Sequence, residues 1–388
     1  MIKTGLNKFI EGGHPWIEGK RLGLLCNPAS VDENFIHARY LVNERFPGQL
    51  KAIFSPQHGF FAEKQDNMIE SGDTTLHDFG IPVFSLYGET RKPTERMMEF
   101  IDVLIVDLLD VGTRVYTFIY TISYCMEAAR EFGKKVIILD RPNPVGGIKV
   151  EGNCLDTEYS SFVGRYPIPM RHGLTVGELA YFINKEFGIG CELEVIKMEG
   201  WKRGMIYSDT GLPWVPPSPN LPTPHSALVY PGQVIWEGTN VSEGRGTTSP
   251  FEQFGAPFIE TGAIISGLPK DKRAGIVLRE VGFEPTSNKW AGQLCWGFFI
   301  HVTDHMNYDS YETSLRLLQE IIRNYTGVFH WKIEAYEYEF EKLAIDLILG
   351  DINLRKSIEN LEDIDAIIKS WQPRLKNYIN KASLFHLY

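Results

Sequence analysis

The chain has 388 residues, 43% of them apolar and 23% charged, with a formal net charge of −10. That length suits two domains, and the composition is that of an ordinary globular protein. Acidity without any Lys/Arg-rich run argues against a nucleic-acid partner. The five cysteines (Cys26, Cys125, Cys154, Cys191, Cys295) lie far apart with no C-x-x-C pair, which excludes a zinc site of the usual spacing. Their odd number fits a reducing compartment. The first ten residues, Met-Ile-Lys-Thr-Gly-Leu-Asn-Lys-Phe-Ile, lack the apolar core of a signal peptide, and no segment approaches the ~20 apolar residues of a spanning helix. The expectation is a cytoplasmic protein that does not enter the membrane, unless a leader has been removed.

In chain order, apolar runs at 22–26, 50–54, 82–86, 102–106 and 136–139 alternate with helix-like stretches near 34–46, 93–100 and 117–132. Near-continuous apolar strands separated by helices are what a buried parallel sheet with right-handed crossovers requires. Thr175-Val-Gly-Glu178 reads as a capping box, opening a helix to about Phe187 that leads into a strand at 192–198. Residues 214–224 hold five prolines in eleven and exclude helix or central strand. Beyond them come an aromatic strand at Val234-Ile-Trp236, a strand near 298–303, a helix at 311–324 and a helical tail near 361–382. The expected fold is α/β: a Rossmann-like, doubly wound, mostly parallel sheet over 1–208, closed by a smaller α+β domain over 209–388.

The expected strand ends are polar. They carry Asn27, then Gln57-His58, then Tyr87, then Asp107-Leu-Leu-Asp110 leading to Arg114 and Tyr116, then Asp140-Arg141-Pro-Asn143. Ligands of open parallel sheets bind beyond the carboxyl ends of the strands, so together these groups suggest a site. Any one of them alone serves equally well as a helix cap. Residues 237–247 (Glu-Gly-Thr-Asn-Val-Ser-Glu-Gly-Arg-Gly-Thr) carry two carboxylates, a guanidinium and three glycines with one apolar side chain, Val241. Glu with Arg in one glycine-rich loop offers a proton carrier and an anion clamp; a solvated turn is the plain alternative. The Arg171-His172 pair before Gly173, and Trp214 and Asn220 on the stiff proline segment, fit either a ligand site or internal packing. There is no G-x-G-x-x-G, P-loop, H-E-x-x-H or G-x-S-x-G, so hydride, phosphoryl and serine acyl transfer lose their usual signposts.

Several segments occur in a distinctive order: Pro56-Gln-His-Gly59, Ser85-Leu-Tyr-Gly88, Asp107 to Arg114, Asp140-Arg-Pro-Asn143, Arg171-His-Gly173, Pro219-Asn-Leu-Pro-Thr223, and Glu237-Gly-Thr-Asn240 with Ser242 to Thr247. Together they resemble the exo-acting β-N-acetylmuramidases of the NamZ family, over the chain from about Arg21 to the final Leu-Tyr. The resemblance implies a Rossmann-like domain that binds no dinucleotide and an interdomain active cleft. It also implies release of N-acetylmuramic acid from the non-reducing end of peptidoglycan-derived glycans, without metal or organic cofactor. Glu237 is then the first candidate carboxylate and Glu63 or Glu243 the second, with Asp110 in reserve. Gln57, His58, Asp110, Arg114, Tyr116, Arg171, His172, Asn220, Asn240 and Arg245 are candidate substrate contacts, and Arg114, Arg171 or Arg245 would grip the lactyl carboxylate in a fork.

One departure matters. Many family members have Glu, a catalytic candidate, where this chain has Gln57, and an amide can neither give nor take the proton of a glycosidase cycle. Either Glu63 supplies the carboxylate or the activity differs. The alternatives are a non-catalytic binding protein for a muropeptide or similar acidic sugar, and a divergent hydrolase of another glycoside or amide. Oligomeric state is open.

Overall fold

The computed structural model describes residues 2–65 and 68–388. In chain order the regular elements of the first half are α1 (Gly5–Glu11), β1 (Leu22–Cys26), α2 (Ala38–Arg45), β2 (Leu50–Ser55), β3 (Thr74–Leu76), β4 (Ile81–Ser85), α3 (Glu95–Met98), β5 (Val103–Asp107), α4 (Phe118–Glu131) and β6 (Lys135–Leu139). They continue with β7 (Glu151–Cys154), β8 (Pro169–Arg171), α5 (Val176–Glu186) and β9 (Glu192–Ile196). Seven strands form one sheet in the order β3-β4-β2-β1-β5-β6-β9, parallel throughout except for the antiparallel edge strand β3. The order reverses direction between β1 and β5, the doubly wound arrangement expected from the alternating runs.

Strands β1 and β5 are buried at every residue, which is why they carry no polar alternation. Successive side chains serve opposite faces. Leu22, Leu24 and Cys26 pack with Leu6, Phe9 and Val42 of α1 and α2, whereas Leu25 joins the core containing α4 and α5. Thr175 caps α5 as its sequence indicates: its N–H donates to Glu178 Oε2 at 3.0 Å and its hydroxyl accepts from the Glu178 N–H at 3.2 Å. All five cysteines are buried and unpaired.

The second half holds α6 (Pro224–Gln233), β10 (Gln253–Ala256), α7 (Thr261–Gly267), β11 (Ile276–Phe283), β12 (Cys295–Val302), α8 (Ser310–Asn324), α9 (Ala344–Leu349), α10 (Ile352–Glu359) and α11 (Ile364–Ala382). An antiparallel sheet ordered β10-β12-β11 is its centre. The expected strand at Val234-Ile-Trp236 is instead part of a 3₁₀ turn, Val234–Gly238, continuing from α6. A wholly buried apolar triplet looks the same in either conformation. Here Pro231 inside α6 removes one helical donor, and the chain tightens just beyond it. The core does not stop at the proline segment. Residues of α4 and α5 lie in one apolar cluster with α6, α8, α9 and α11, and the Tyr378 hydroxyl of α11 donates to the His172 carbonyl at 2.8 Å. Among the described residues no helix is long and apolar enough to cross a membrane.

Candidate active site

The Glu/Arg loop is held from beneath. Trp236 is wholly buried, stacked on Phe254 with ring centroids 4.8 Å apart and 12° between planes, and its Nε1 donates to Gln233 Oε1 at 2.9 Å. A side chain at Gly238 would meet the Ile345 backbone at 2.8 Å, so α9 presses directly on the turn carrying Glu237. Gly244, at φ +80°, reverses the chain and brings Arg245 back to Glu237. Arg245 Nη2 lies 2.6 Å from Glu237 Oε1, and its Nε lies 3.3 Å from Glu243 Oε1. Lys289 Nζ closes the cluster 2.7 Å from Glu243 Oε2. Burial pushes the Glu243 carboxyl up, but Lys289 and Arg245 outweigh it and hold the group below the ordinary carboxylate value. Burial likewise works against the Arg245 charge, and Glu237 and Glu243 overcome it and raise its pKa.

A third buried carboxylate faces this cluster, and it is Glu337. Its Oε1 accepts from Gln57 Nε2 at 2.8 Å and its Oε2 from the Tyr87 hydroxyl at 2.5 Å. The Thr117 hydroxyl donates to Gln57 Oε1 at 2.5 Å, which fixes the amide so that its NH₂ points to Glu337. Burial raises the Glu337 pKa; the Tyr87 and Gln57 bonds pull the other way, and nearby Glu237 adds to the rise. Tyr336, one residue earlier, donates its hydroxyl to Glu237 Oε2 at 2.5 Å. Residues 336–341 read Tyr-Glu-Tyr-Glu-Phe-Glu, a period-two pattern that suggests a strand with its acids in solvent. The backbone breaks the period, with Glu337 at φ +49° and Tyr338 at φ +67°, so that Tyr336 and Glu337 are both buried. His58, beside Gln57, is also left-handed at φ +77°. Non-glycine residues in this region are typically strained by about 1–3 kcal/mol each, and they cluster at functional sites.

Two cavities flank these side chains and share Glu237, Arg245 and Tyr336 as a common wall. The inner one, about 30 Å³, is lined by Gln57, His58, Tyr116, Asn220 and Glu337 among others. Within it the buried Tyr116 hydroxyl has no hydrogen-bond partner among the described residues. The outer one, about 920 Å³, is lined by Asn240, Glu243, Lys289, Trp331 and Lys332 among others. Among the described residues no group of three or more His, Cys, Asp or Glu side chains is placed to hold a metal ion.

The remaining candidates divide. Gln57, His58, Tyr116, Asn220, Asn240, Arg245, Glu237 and Glu243 line one or both cavities. Asn220 Nδ2 donates to the Gln65 carbonyl, and Asn240 Nδ2 to the Val328 carbonyl. His58 Nδ1 lies 2.7 Å from the Lys64 carbonyl and its Nε2 lies 3.3 Å from the Ser218 hydroxyl. Glu63 is not brought to either cavity. It is exposed, and its carboxylate accepts from the Phe61 N–H, two residues away in its own loop.

Arg114 is wholly buried and donates to four backbone carbonyls, those of Asn153, Ile168, Ile348 and Leu349, so it ties the β7 and β8 segments to α9. Arg171 pairs with Glu151 and donates to the Val145 carbonyl. His172 Nδ1 accepts from the Leu174 N–H, so its Nε2 carries the proton shared with Asp110 Oδ2 at 3.1 Å. Arg114, Arg171, His172 and Asp110 thus line neither cavity; they satisfy buried backbone and one another. Trp214 packs edge-on to Tyr207 and donates to the Leu221 carbonyl. Of the strand ends, those of β2 and β4 reach the site, and that of β5 reaches it through Tyr116 and Thr117. Asn27 bonds the Pro217 carbonyl, Asp107 pairs with Arg141, and Asp140 accepts from Thr175 and Gly177 at the start of α5.

Family models describing the N-terminal and C-terminal parts of the exo-β-N-acetylmuramidase NamZ match residues 22–225 and 228–388. The peptidoglycan β-N-acetylmuramidase NamZ of Bacillus subtilis (strain 168) is 42% identical over 387 residues, which is 100% of this chain and 91% of that one. Two crystal structures of DUF1343 family proteins from Bacteroides fragilis NCTC 9343 superimpose with TM-scores of 0.90 and 0.75, at 34% and 30% identity. Each alignment covers 100% of this chain and 99% of the other. With both halves matched in order and the fold shared over its full length, the chain belongs to the NamZ family.

Proposed function

We propose that this chain is a glycoside hydrolase that releases N-acetylmuramic acid from the non-reducing end of peptidoglycan-derived glycans, in a cleft between residues 1–208 and 209–388. One observation carries the chemistry: Glu237 and Glu337 converge on one cavity in opposite settings. Glu237 is ion-paired to Arg245, whereas burial raises the pKa of Glu337. Glycoside hydrolysis needs such a split, one carboxyl retaining its proton for the leaving oxygen and one carboxylate serving as base or nucleophile. Glu337 is the acid and Glu237 its partner. Gln57 and Tyr87 orient the acid, and the Tyr116 hydroxyl remains to bond the sugar. Glu243 is absorbed by Lys289 and Arg245 and acts through them.

A cavity of about 30 Å³ holds little more than a water molecule, so a sugar enters by displacing Tyr336, part of the wall shared with the outer cavity. The test is incubation with N-acetylmuramyl-N-acetylglucosamine and mass-spectrometric detection of free N-acetylmuramic acid. Cleavage that persists unchanged in Glu237→Gln would end the assignment. Gln57, an amide where many family members have an acid, favours a second reading as a non-catalytic acidic-sugar binding protein. Calorimetric binding of N-acetylmuramic acid without cleavage of any muramyl glycoside would decide for it.

A further inference from the structure

Four cationic or imidazole side chains line the outer cavity: Arg245, Lys289, His330 and Lys332. Their circumstances differ. Arg245 is neutralised by Glu237 and Glu243, and Lys289 by Glu243 while it also donates to the Trp236 and Val241 carbonyls. His330 is exposed on the rim. Lys332 is partly buried, and among the described residues its ammonium makes no ion pair; it lies over the face of Tyr336, 5.9 Å from the ring centroid. It lies near enough to Lys289 to depress that amine's pKa, the burial of Lys289 being the larger cause. Its backbone is fixed, because the Lys332 N–H donates to the Gly238 carbonyl at 2.9 Å and Trp331 bridges Thr239. From this fixed backbone an unneutralised ammonium lines a cavity of about 920 Å³, within the range of small-molecule sites.

We infer that Lys332 is the specificity-determining residue of the substrate groove, binding a carboxylate carried by the glycan. The inference rests on the hydrolase reading for its substrate, but not for its physics. Arg114 and Arg171, the guanidiniums that the sequence offers for this task, are consumed by carbonyls and Glu151, and Arg245 is held by two acids. An incoming carboxylate therefore meets Lys332 as the cation without a counter-charge. The carboxylate has two possible sources, the lactyl group of the terminal muramic acid and the peptide stem of a neighbouring sugar.

The experiment is calorimetry on the full chain and on Lys332→Ala and Lys332→Arg, with circular dichroism to show that each is folded. The probes are N-acetylmuramic acid, its lactyl amide, N-acetylglucosamine, and a muropeptide whose lactyl group is already an amide but whose stem ends in free carboxylates. Lys332→Ala is expected to weaken a carboxylate-bearing probe by ten- to a hundredfold, to leave the lactyl amide and N-acetylglucosamine unchanged, and to be largely rescued by Lys332→Arg. Loss on free muramic acid assigns the lactyl group, and loss on the muropeptide alone assigns the stem. Equal weakening of all four probes, or of none, overturns the inference. Glycan cleavage by the unmodified chain is assayed separately. Its absence would end the hydrolase reading while leaving the binding comparison intact.

Discussion

Replacing Glu337 with Gln removes the proton and little else. The two donors facing the carboxylate, Gln57 Nε2 at 2.8 Å and the Tyr87 hydroxyl at 2.5 Å, need acceptors. The new amide oxygen serves Gln57, and the Tyr87 hydroxyl rotates to accept from the new NH₂. Exchanging one hydrogen bond of a neutral carboxyl for one of an amide costs at most about 1 kcal/mol, so the variant should fold and should still bind N-acetylmuramic acid. Catalysis is another matter. A positioned general acid contributes typically 10²–10⁴-fold, and the natural leaving group, a sugar alkoxide, needs that proton. A nitrophenolate leaving group hardly does. The expected result is a drop in kcat of roughly 10²–10⁴-fold on N-acetylmuramyl-N-acetylglucosamine and a far smaller drop on nitrophenyl N-acetylmuramide. The pH profile should change as well. Burial raises the Glu337 pKa in the folded chain, so the active, protonated form is lost only as pH rises through that raised value, and the alkaline limb of kcat should vanish in the variant. The same sign governs stability. Above the unfolded carboxylate value of about 4.3 the folded state holds the extra proton, so this group's contribution falls as pH rises, and Glu337→Gln should flatten that slope. Equal losses on both substrates, or an unchanged alkaline limb, would refute Glu337 as the acid.

Glu237→Gln should abolish turnover on both substrates while the chain stays folded, because Arg245 keeps Glu243 as a counter-charge at 3.3 Å; residual cleavage of the aryl glycoside at more than a few per cent would contradict it. Because Tyr336 must move aside for the sugar, Tyr336→Phe, which removes the hydroxyl that donates to Glu237 Oε2, should leave kcat/KM undiminished. A ten- to hundredfold loss, the size expected of a retained charge-assisted bond of ~1.5–3 kcal/mol, would refute that displacement. Arg114→Met leaves four carbonyls without their donor and should destabilise by about 4 kcal/mol, taking ~1 kcal/mol for each contact. A lowered Tm in thermal melts with an intact preference for muramic acid at a permissive temperature is the expected pattern, and a lost preference would restore Arg114 to the anion site.

The parallel sheet was legible because burial on both faces leaves one signature, the unbroken apolar runs of β1 and β5. The capping box at Thr175 was legible because its chemistry is local. The Glu237 loop was legible too, since Gly244 and Arg245 act within a few residues of the acid they serve. What stayed hidden depended on distance or on backbone handedness. Arg114 looks the same in sequence whether it faces a ligand or four carbonyls, and the partners that decide between them include Ile348 and Leu349, far along the chain. Glu337 lies 280 residues from Gln57, which it accepts from. It was further disguised by an alternating aromatic-acid pattern that two left-handed residues then break. Glu63 drew notice because it stands near Gln57 in sequence, yet proximity along the chain is a poor guide once the connection is a loop: its carboxylate serves the Phe61 N–H and faces solvent. An amide at position 57 poses a question about a missing acid, and the answer comes from the other half of the chain. Thr117 orients the Gln57 amide, the amide donates to Glu337, and Glu337 stands across the cavity from Glu237. Gln57 is thus the residue through which the first half of the chain orients a carboxyl supplied by the second. Its substitution by Glu would set two buried carboxyls 2.8 Å apart, sharing one proton.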